Sequence, residues 1–181
     1  MIELRSIKSH SDWRQIKKLY KTAFPRYERK PLWIVRLKNR QQEADVWIIE
    51  QDGVFAGFAI TINELDMVLL DYFAICEEMR GAGLGAEALQ RLQAHYAGKR
   101  FFLEIESVSA PADNLPERQR RKRFYLRNGM TELGVTVNVY SVDMELLGYN
   151  CELNYQEYVT LYRMSYGNMV VQNLKEITSN N

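Results

Sequence analysis

Three glycines in five residues, Gly81, Gly83 and Gly85, interrupt the chain between an apolar run, Leu69 to Ile75, and an amphipathic stretch, Gly83 to Ala97. The run reads as a strand. The stretch reads as a helix with Leu84, Ala88, Leu89, Leu92 and Tyr96 on one side. Gly98 ends it. A glycine inside a helix costs up to about 1 kcal/mol relative to alanine, so three at a helix start ask for a compensating role. Glycines let a backbone approach a ligand closely. The first amides of a helix have no internal acceptors and point at any anion placed there. Arg80 adds a positive charge beside them. The combination suits a pyrophosphate. A glycine-rich turn with no ligand is the bland alternative.

The same string satisfies Gly81-x-Gly83-x-x-Ala86, the dinucleotide-binding pattern, with Glu104 or Glu106 about 20 residues on. Its context excludes that reading. The fingerprint glycine sits directly on its strand, whereas Cys76 to Arg80 intervene here. Two antiparallel-looking strands come first, and the 96 residues after Gly85 are too few for two nucleotide-binding halves.

Elsewhere the chain alternates between strand and helix signals. Met1 to Ile7 reads as a strand. Ser9 and Asp12 resemble a capping box ahead of Trp13, Ile16, Leu19, Tyr20, Ala23 and Phe24, and Pro25 ends that helix. After a polar link, Pro31 opens a second helix with Leu32, Ile34, Val35 and Leu37. Val46 to Ile49 and Val54 to Ile62 are strands joined by a Gln51-Asp52-Gly53 hairpin turn. Asn63-Glu64 turns into the strand Met67 to Ile75. Phe101 to Val108 is a strand, Ser109 to Asn114 a loop, Glu117 to Asn128 a helix ended by Gly129, and Val135 to Met144 one further strand. Tyr155 to Met164 is a last helix, and the terminal ITSNN reads as frayed. This order predicts an α/β (α+β) chain with a mixed, mostly antiparallel central sheet flanked by helices.

Composition narrows the class. The 181 residues are 46 % hydrophobic and 26 % charged, and 24 Lys and Arg against 23 Asp and Glu give a net charge of +1. That excludes a mainly disordered chain and argues against a general nucleic-acid coat. Two cysteines, Cys76 and Cys151, build no disulfide framework, and His10 and His95 make no His-rich metal site. No secretory leader and no membrane-length apolar run is visible, so the expectation is a cytoplasmic protein with free thiols, no metal and no membrane partner.

At the glycine turn the residues look like a known family. Arg80-x-x-Gly83-x-Gly85, after the strand segment Tyr72-Phe73-Ala74-Ile75, resembles the acetyl-CoA motif of the GCN5-related N-acetyltransferases, the GNAT superfamily. Phe124-Tyr125-Leu126-Arg127-Asn128-Gly129-Met130 resembles the second block of that family. The resemblance is good over about residues 45 to 145 and loose over the first helices. It implies the acyl-CoA N-acyltransferase fold across residues 1–181 as a single domain. One departure stands out: the family often has Asn seven residues before this tyrosine and Ala three after that Asn, where this chain has Arg118 and Arg121. The departure bears on the usual side-chain contact to the pantetheine arm and not on the pyrophosphate loop.

The resemblance implies direct transfer of an acetyl group from acetyl-CoA to an amine. It places the pyrophosphate on Gly81, Ala82, Gly83, Leu84, Gly85 and Ala86 with Arg80. The pantetheine arm would lie along Phe73, Ala74 and Ile75. Tyr125 matches the tyrosine that protonates the leaving thiolate; packing beside Phe124 is the other reading. For the base, Asp71 and Glu104 are candidates, with a water-relayed base as the alternative. Glu28, on the link whose flanking helices line the acceptor site in the family, and Glu106 are candidate acceptor contacts. The acceptor is expected to be a small-molecule or peptide amine. A non-catalytic module of the same fold that binds CoA or a protein stays open. The basic stretch Arg118, Arg120, Arg121, Lys122, Arg123 and Arg127 reads as a solvated face plus a site for CoA phosphates rather than a nucleic-acid patch. Tyr155, Tyr158 and Tyr162 share a helix face and read as core or homodimer packing.

Overall fold

Near-continuous apolar runs in the chain's first half build strands that bury both faces. The computed structural model describes residues 1–26, 28–109 and 111–177; of the tail expected to fray, 177–181, the Ile177 amide instead donates to the Thr136 carbonyl at 2.9 Å, and 178–181 lie outside the described residues. The strands are β1 (Ile2–Ser6), β2 (Ala44–Gln51), β3 (Val54–Glu64), β4 (Met67–Ile75), β5 (Arg100–Glu106), β6 (Thr131–Val139), β7 (Val142–Tyr149) and β8 (Leu174–Glu176). The helices are α1 (His10–Ala23), α2 (Leu32–Arg40), α3 (Leu84–His95), α4 (Leu115–Arg127), α5 (Tyr155–Tyr166) and the short α6 (Asn168–Val171). The strands form one eight-stranded sheet in the order β1-β2-β3-β4-β5-β7-β6-β8. This is the mixed, mostly antiparallel sheet flanked by helices that the sequence predicts; β4 and β5 pair in parallel.

Packing divides the chain into two units. One comprises Met1–Asn63 and Leu70–His95, the other Glu64–Leu69 and Tyr96–Asn181. In the first, Ile16, Leu19 and Tyr20 of α1 and Val35 of α2 pack on Val46, Ile48, Phe58, Ile60, Tyr72 and Ala74. A second cluster joins Leu84 and Ala88 of α3 to Ile2, Ile49, Ala56 and Ile75. The period-two alternation of Ile48 against Ile49 sends neighbours to opposite sides. Full burial of each large aliphatic side chain contributes about 1.5–3 kcal/mol.

The start of α1 is a charged lock. Ser9 Oγ accepts from the Asp12 amide at 3.1 Å, and the Asp12 carboxylate accepts from the Lys8 and Ser9 amides at 2.9 and 3.0 Å. Arg5 of β1 donates two bonds to that carboxylate, at 2.9 and 3.1 Å, and reaches Glu50 of β2 at 2.7 Å. Hydrogen bonding from Arg5 holds the Asp12 carboxyl well below the usual carboxylate range, against the opposing effect of burial.

In the second unit, β5 pairs antiparallel with β7, β7 with β6 and β6 with β8. Here the sequence reading is corrected. The single strand expected over Val135 to Met144 is a hairpin of β6 and β7. Its turn residues, Tyr140 and Ser141, have φ of 48° and 71° without the usual glycine or Asn-Gly signal. The register slips between Glu132 and Thr136 around Gly134, whose φ is 71°, so the alternation is broken just where β6 begins. The turn placed at Asn63-Glu64 lies at Leu65-Asp66, with φ of 55° at Leu65. Pro116, assigned to the loop, is in the first turn of α4, where its missing amide costs nothing. Short α6 and β8 carry too few residues for a periodic signal.

Two predictions follow from this packing. A Cβ on Gly57 would lie 2.3 Å from the Ala74 carbonyl oxygen and 3.1 Å from Ile75 Cα, both backbone atoms. A Cβ on Gly148 would meet Cys151 Sγ and Leu133 Cδ2 at 2.7 Å, and these side-chain ends can turn away. Gly57→Ala is expected to cost about 3 kcal/mol and Gly148→Ala about 1 kcal/mol, within the range for overpacking. Urea midpoints at constant slope check the order, and equal midpoints would contradict the close approach at Gly57. Asp12→Asn should cost about 2 kcal/mol at neutral pH, because the bonds from Arg5 and from the Lys8 and Ser9 amides lose their charged acceptor. Because the folded-state pKa of Asp12 is depressed, its contribution is present above the unfolded value of about 4 and is lost as pH falls below it. The stability gap between the parent protein and the variant should therefore close with acidification.

Candidate active site

The end of β4 sets up the glycine turn. The Cys76 amide donates to the Ala56 carbonyl at 2.8 Å, and Arg80 Nε donates to the Ile75 carbonyl at 3.2 Å. Between them a 3₁₀ turn, Glu77–Met79, closes with the Arg80 amide on the Glu77 carbonyl. The strand's last groups are thus satisfied. Beyond them the chain turns through Gly81 and Gly83 at φ of 92° and 79°, a left-handed conformation that side chains with a Cβ resist. The Gly83 carbonyl accepts the Glu87 amide at 3.1 Å and so starts α3. Among the described residues, the amides of residues 81–86 meet no backbone acceptor. Gly81, Ala82 and Gly83 are exposed, and nothing lies within 4 Å of a Cβ built on either glycine. An exposed cradle of free amides at a helix N-terminus, with Arg80 beside it, fits a pyrophosphate.

Upstream on β4, Phe73 and Asp71 are half-buried while Ala74 and Ile75 are buried. Asp71, a candidate base, pairs with Lys30 Nζ at 2.6 Å. Next to it, the Tyr72 hydroxyl accepts from the Lys30 amide at 3.0 Å and donates to the Glu28 carbonyl at 2.7 Å. Tyr20 donates to the Lys30 carbonyl at 3.1 Å. The link that reads as merely polar in sequence is therefore pinned to α1 and β4. Tyr72 also meets the rings of Tyr20 and Phe24 edge-on at 4.8 and 5.0 Å. Burial pushes the Tyr20 phenol up to about 12 and that of Tyr72 higher still. Burial likewise raises the Cys76 thiol, which leaves it protonated and poorly suited as a nucleophile.

The second unit holds the other candidates. Tyr125 is buried near the end of α4, edge-on to Phe124 at 5.2 Å. Burial pushes its phenol up to about 12, with Arg121 pulling the other way. Its hydroxyl donates to none of the described residues. Such a phenol stays protonated through the neutral range and can donate a proton but not accept one. Glu104 of β5 accepts from the Tyr162 hydroxyl of α5 at 2.7 Å. Glu106 is buried, at 4 % exposure, and pairs with Arg118 at 2.9 Å and with Arg121 at 3.7 Å. Arg118 also donates to Asn114 Oδ1 and to the Ser107 carbonyl. Lys122 pairs with Glu145 at 2.6 Å and Glu132 at 3.1 Å. Three members of the basic stretch thus have carboxylate partners, and Arg118 is occupied by the protein's own groups.

The partners Lys30, Tyr162 and Glu145 were not singled out from the sequence for these roles. They lie 41, 58 and 23 residues from Asp71, Glu104 and Lys122. No local pattern reports such contacts; only the helical spacing of the tyrosines hinted that Tyr162 faces inward. Among the described residues, no group of three or more His, Cys, Asp or Glu could hold a metal ion, and no helix is long and apolar enough to cross a membrane.

Comparisons with known proteins bear on the fold and the family. Solved structures share the fold. A GNAT-family protein from Bacteroides thetaiotaomicron matches with a TM-score of 0.74 at 21 % identity, over 92 % of this chain and 99 % of that one. The ribosomal-protein-S18-alanine N-acetyltransferase of Escherichia coli matches with a TM-score of 0.62 at 19 % identity, over 85 % and 96 %. A chimeric spermidine N-acetyltransferase from Vibrio cholerae matches with a TM-score of 0.64 at 16 % identity, over 82 % and 94 %. A search of curated proteins gives no match. The sequence pattern of the acetyltransferase (GNAT) family matches residues 13–130, which include the glycine turn and the Tyr125 block. By that match over most of its length, the chain belongs to the GNAT acetyltransferase family.

Proposed function

We propose that this chain is an N-acetyltransferase that uses acetyl-CoA and passes the acetyl group directly to a primary amine of a small molecule or peptide. The reading assigns residues 1–181 to a single N-acetyltransferase domain. The observation that carries it is the exposed glycine turn, whose amides at residues 81–86 meet no backbone acceptor among the described residues. Family membership supports the same assignment. Acetyl-CoA would supply a thioester whose carbonyl carbon accepts the amine's lone pair, the C–N bond forming as the C–S bond breaks.

The chain's own residues would do the rest. Amides of Gly81 to Ala86, with Arg80, hold the pyrophosphate. Backbone groups of Phe73, Ala74 and Ile75 align the pantetheine arm, though the Ile75 carbonyl already accepts from Arg80. Glu104 takes the proton that the ammonium must lose; Asp71 is the second candidate, and its pairing with Lys30 ranks it lower. Tyr125 gives a proton to the thiolate, a contribution worth about 10²–10⁴-fold, and the proton shed by the adduct nitrogen restores the phenol. Glu28 and Glu106 are proposed as acceptor contacts. The Arg118 pair leaves Glu106 the weaker of the two.

Thiol release from acetyl-CoA across spermidine, a peptide with an N-terminal alanine and benzylamine tests the reaction. The first two are chosen because structurally similar proteins are named for those acceptors. Release with one of them is the expected result. Thermal stabilisation by acetyl-CoA without release would instead mark a non-catalytic binding module. Tyr125→Phe should lower kcat about 100-fold and leave the KM for acetyl-CoA nearly unchanged. Gly83→Asp provides an independent test. Aspartate tolerates the left-handed conformation better than most residues, so the variant should fold at a cost of about 1 kcal/mol. Its carboxylate would repel the pyrophosphate, and the KM for acetyl-CoA should rise about tenfold or more. An unchanged KM would remove the glycine turn from the binding site.

A further inference from the structure

We propose that Tyr162 is a positioning residue that holds the Glu104 carboxylate in place to take the acceptor's proton. The inference rests on the reading of Glu104 as the proton acceptor. In that step a proton leaves the acceptor's ammonium group for the carboxylate, giving a neutral amine and a carboxylic acid, and no other bond changes.

The geometry is that of a fixed donor on a fixed acceptor. Tyr162 Oη donates to Glu104 Oε1 at 2.7 Å. Tyr162 is only 3 % exposed, and the rings of Tyr158 and Tyr166 bracket it at centroid distances of 4.8 and 5.5 Å. The phenol therefore has little room to turn. A buried tyrosine needs a partner for its hydroxyl, and a backbone carbonyl would serve that need. This one instead reaches a carboxylate in the middle of a strand. Docking of α5 does not depend on that bond. Arg100 of β5 already ties the first turn of α5 through Glu157 at 2.6 Å, and Ser165 Oγ donates to Glu64 at 2.9 Å near the other end. The Tyr162 bond is thus surplus as a fastening and selective as an orienting contact.

Other charged residues of this unit have partners of their own. On β5, Arg100 is taken by Asp66 and Glu157, and Glu106 by Arg118. The β7 residue opposite Glu104 is Leu146, and the adjoining Glu145 binds Ser107 and Lys122. Met67–Leu69 of β4 is apolar, and α5 presents Tyr158 and Tyr166 beside Tyr162. A hydrogen bond donated to the ionised carboxylate favours that form, so Tyr162 keeps Glu104 ready as a base.

Tyr162→Phe removes the hydroxyl and keeps the ring. With acetyl-CoA and whichever of spermidine, the alanine peptide or benzylamine turns over, kcat/KM for the amine should fall about tenfold. The KM for acetyl-CoA should hold, and the acidic limb of the pH profile should move up by about one pH unit. Glu104→Gln should abolish that limb. If Glu104→Gln leaves the limb in place, the reading of Glu104 fails and the inference with it. If Glu104→Gln abolishes the limb and Tyr162→Phe moves nothing, the inference alone is overturned. Carbon-13 titration of the Glu104 carboxyl needs no acceptor. Its midpoint should rise in Tyr162→Phe, and an unmoved midpoint overturns the inference whatever the amine.

Discussion

Backbone polar groups must find partners, and the end of β4 is where that requirement shapes everything around it. The Cys76 amide goes to Ala56, the Ile75 carbonyl to Arg80 and the Arg80 amide to Glu77. Gly57 has no Cβ, so β3 can lie against the Ala74 carbonyl at a distance no other residue allows. With the strand end satisfied this way, the next amides, at residues 81–86, meet no backbone acceptor among the described residues and are left for an outside one. The helix that follows is anchored by Leu84 and Ala88 in a core cluster with Ile75. The same packing that ends the strand therefore aims the helix N-terminus.

Charge is organised as local pairs and not as a field. Asp71 has Lys30, Glu106 has Arg118, Glu145 has Lys122 and Asp12 has Arg5. Buried pairs of this kind return little net stability, because desolvation offsets the attraction. Breaking one partner leaves a stranded charge, so each pair resists rearrangement. Their effect is positional: they tie the link before α2 to β4, α4 to the end of β5, and α1 to β1. Glu104 accepts from a phenol, a neutral donor that orients a carboxylate without cancelling its charge.

Much of the architecture was legible in sequence. Ser9 and Asp12 announced a capping box that is present, and Asp52-Gly53 announced a hairpin turn that forms with φ of 51° and 79°. These signals are local, and local chemistry decides them. The β6–β7 hairpin was not legible. Its turn uses Tyr140 and Ser141, and the bulge at Gly134 breaks the alternation that marks a strand. Pairing with β5 and β8 holds that geometry in place, and none of that information lies within the segment.

By itself the sequence determined the strand–glycine turn–helix unit and the order of strands and helices as far as α4. These depend on residue type and short spacing: glycine conformations, capping groups and apolar periods. Tertiary structure decided which groups each charge meets. Asp71 and Glu104 look alike as carboxylates inside strands, yet one meets an ammonium group 41 residues away and the other a phenol 58 residues away. Ion pairing and desolvation depend on distance in space and not on distance along the chain, so only the folded protein could separate the two.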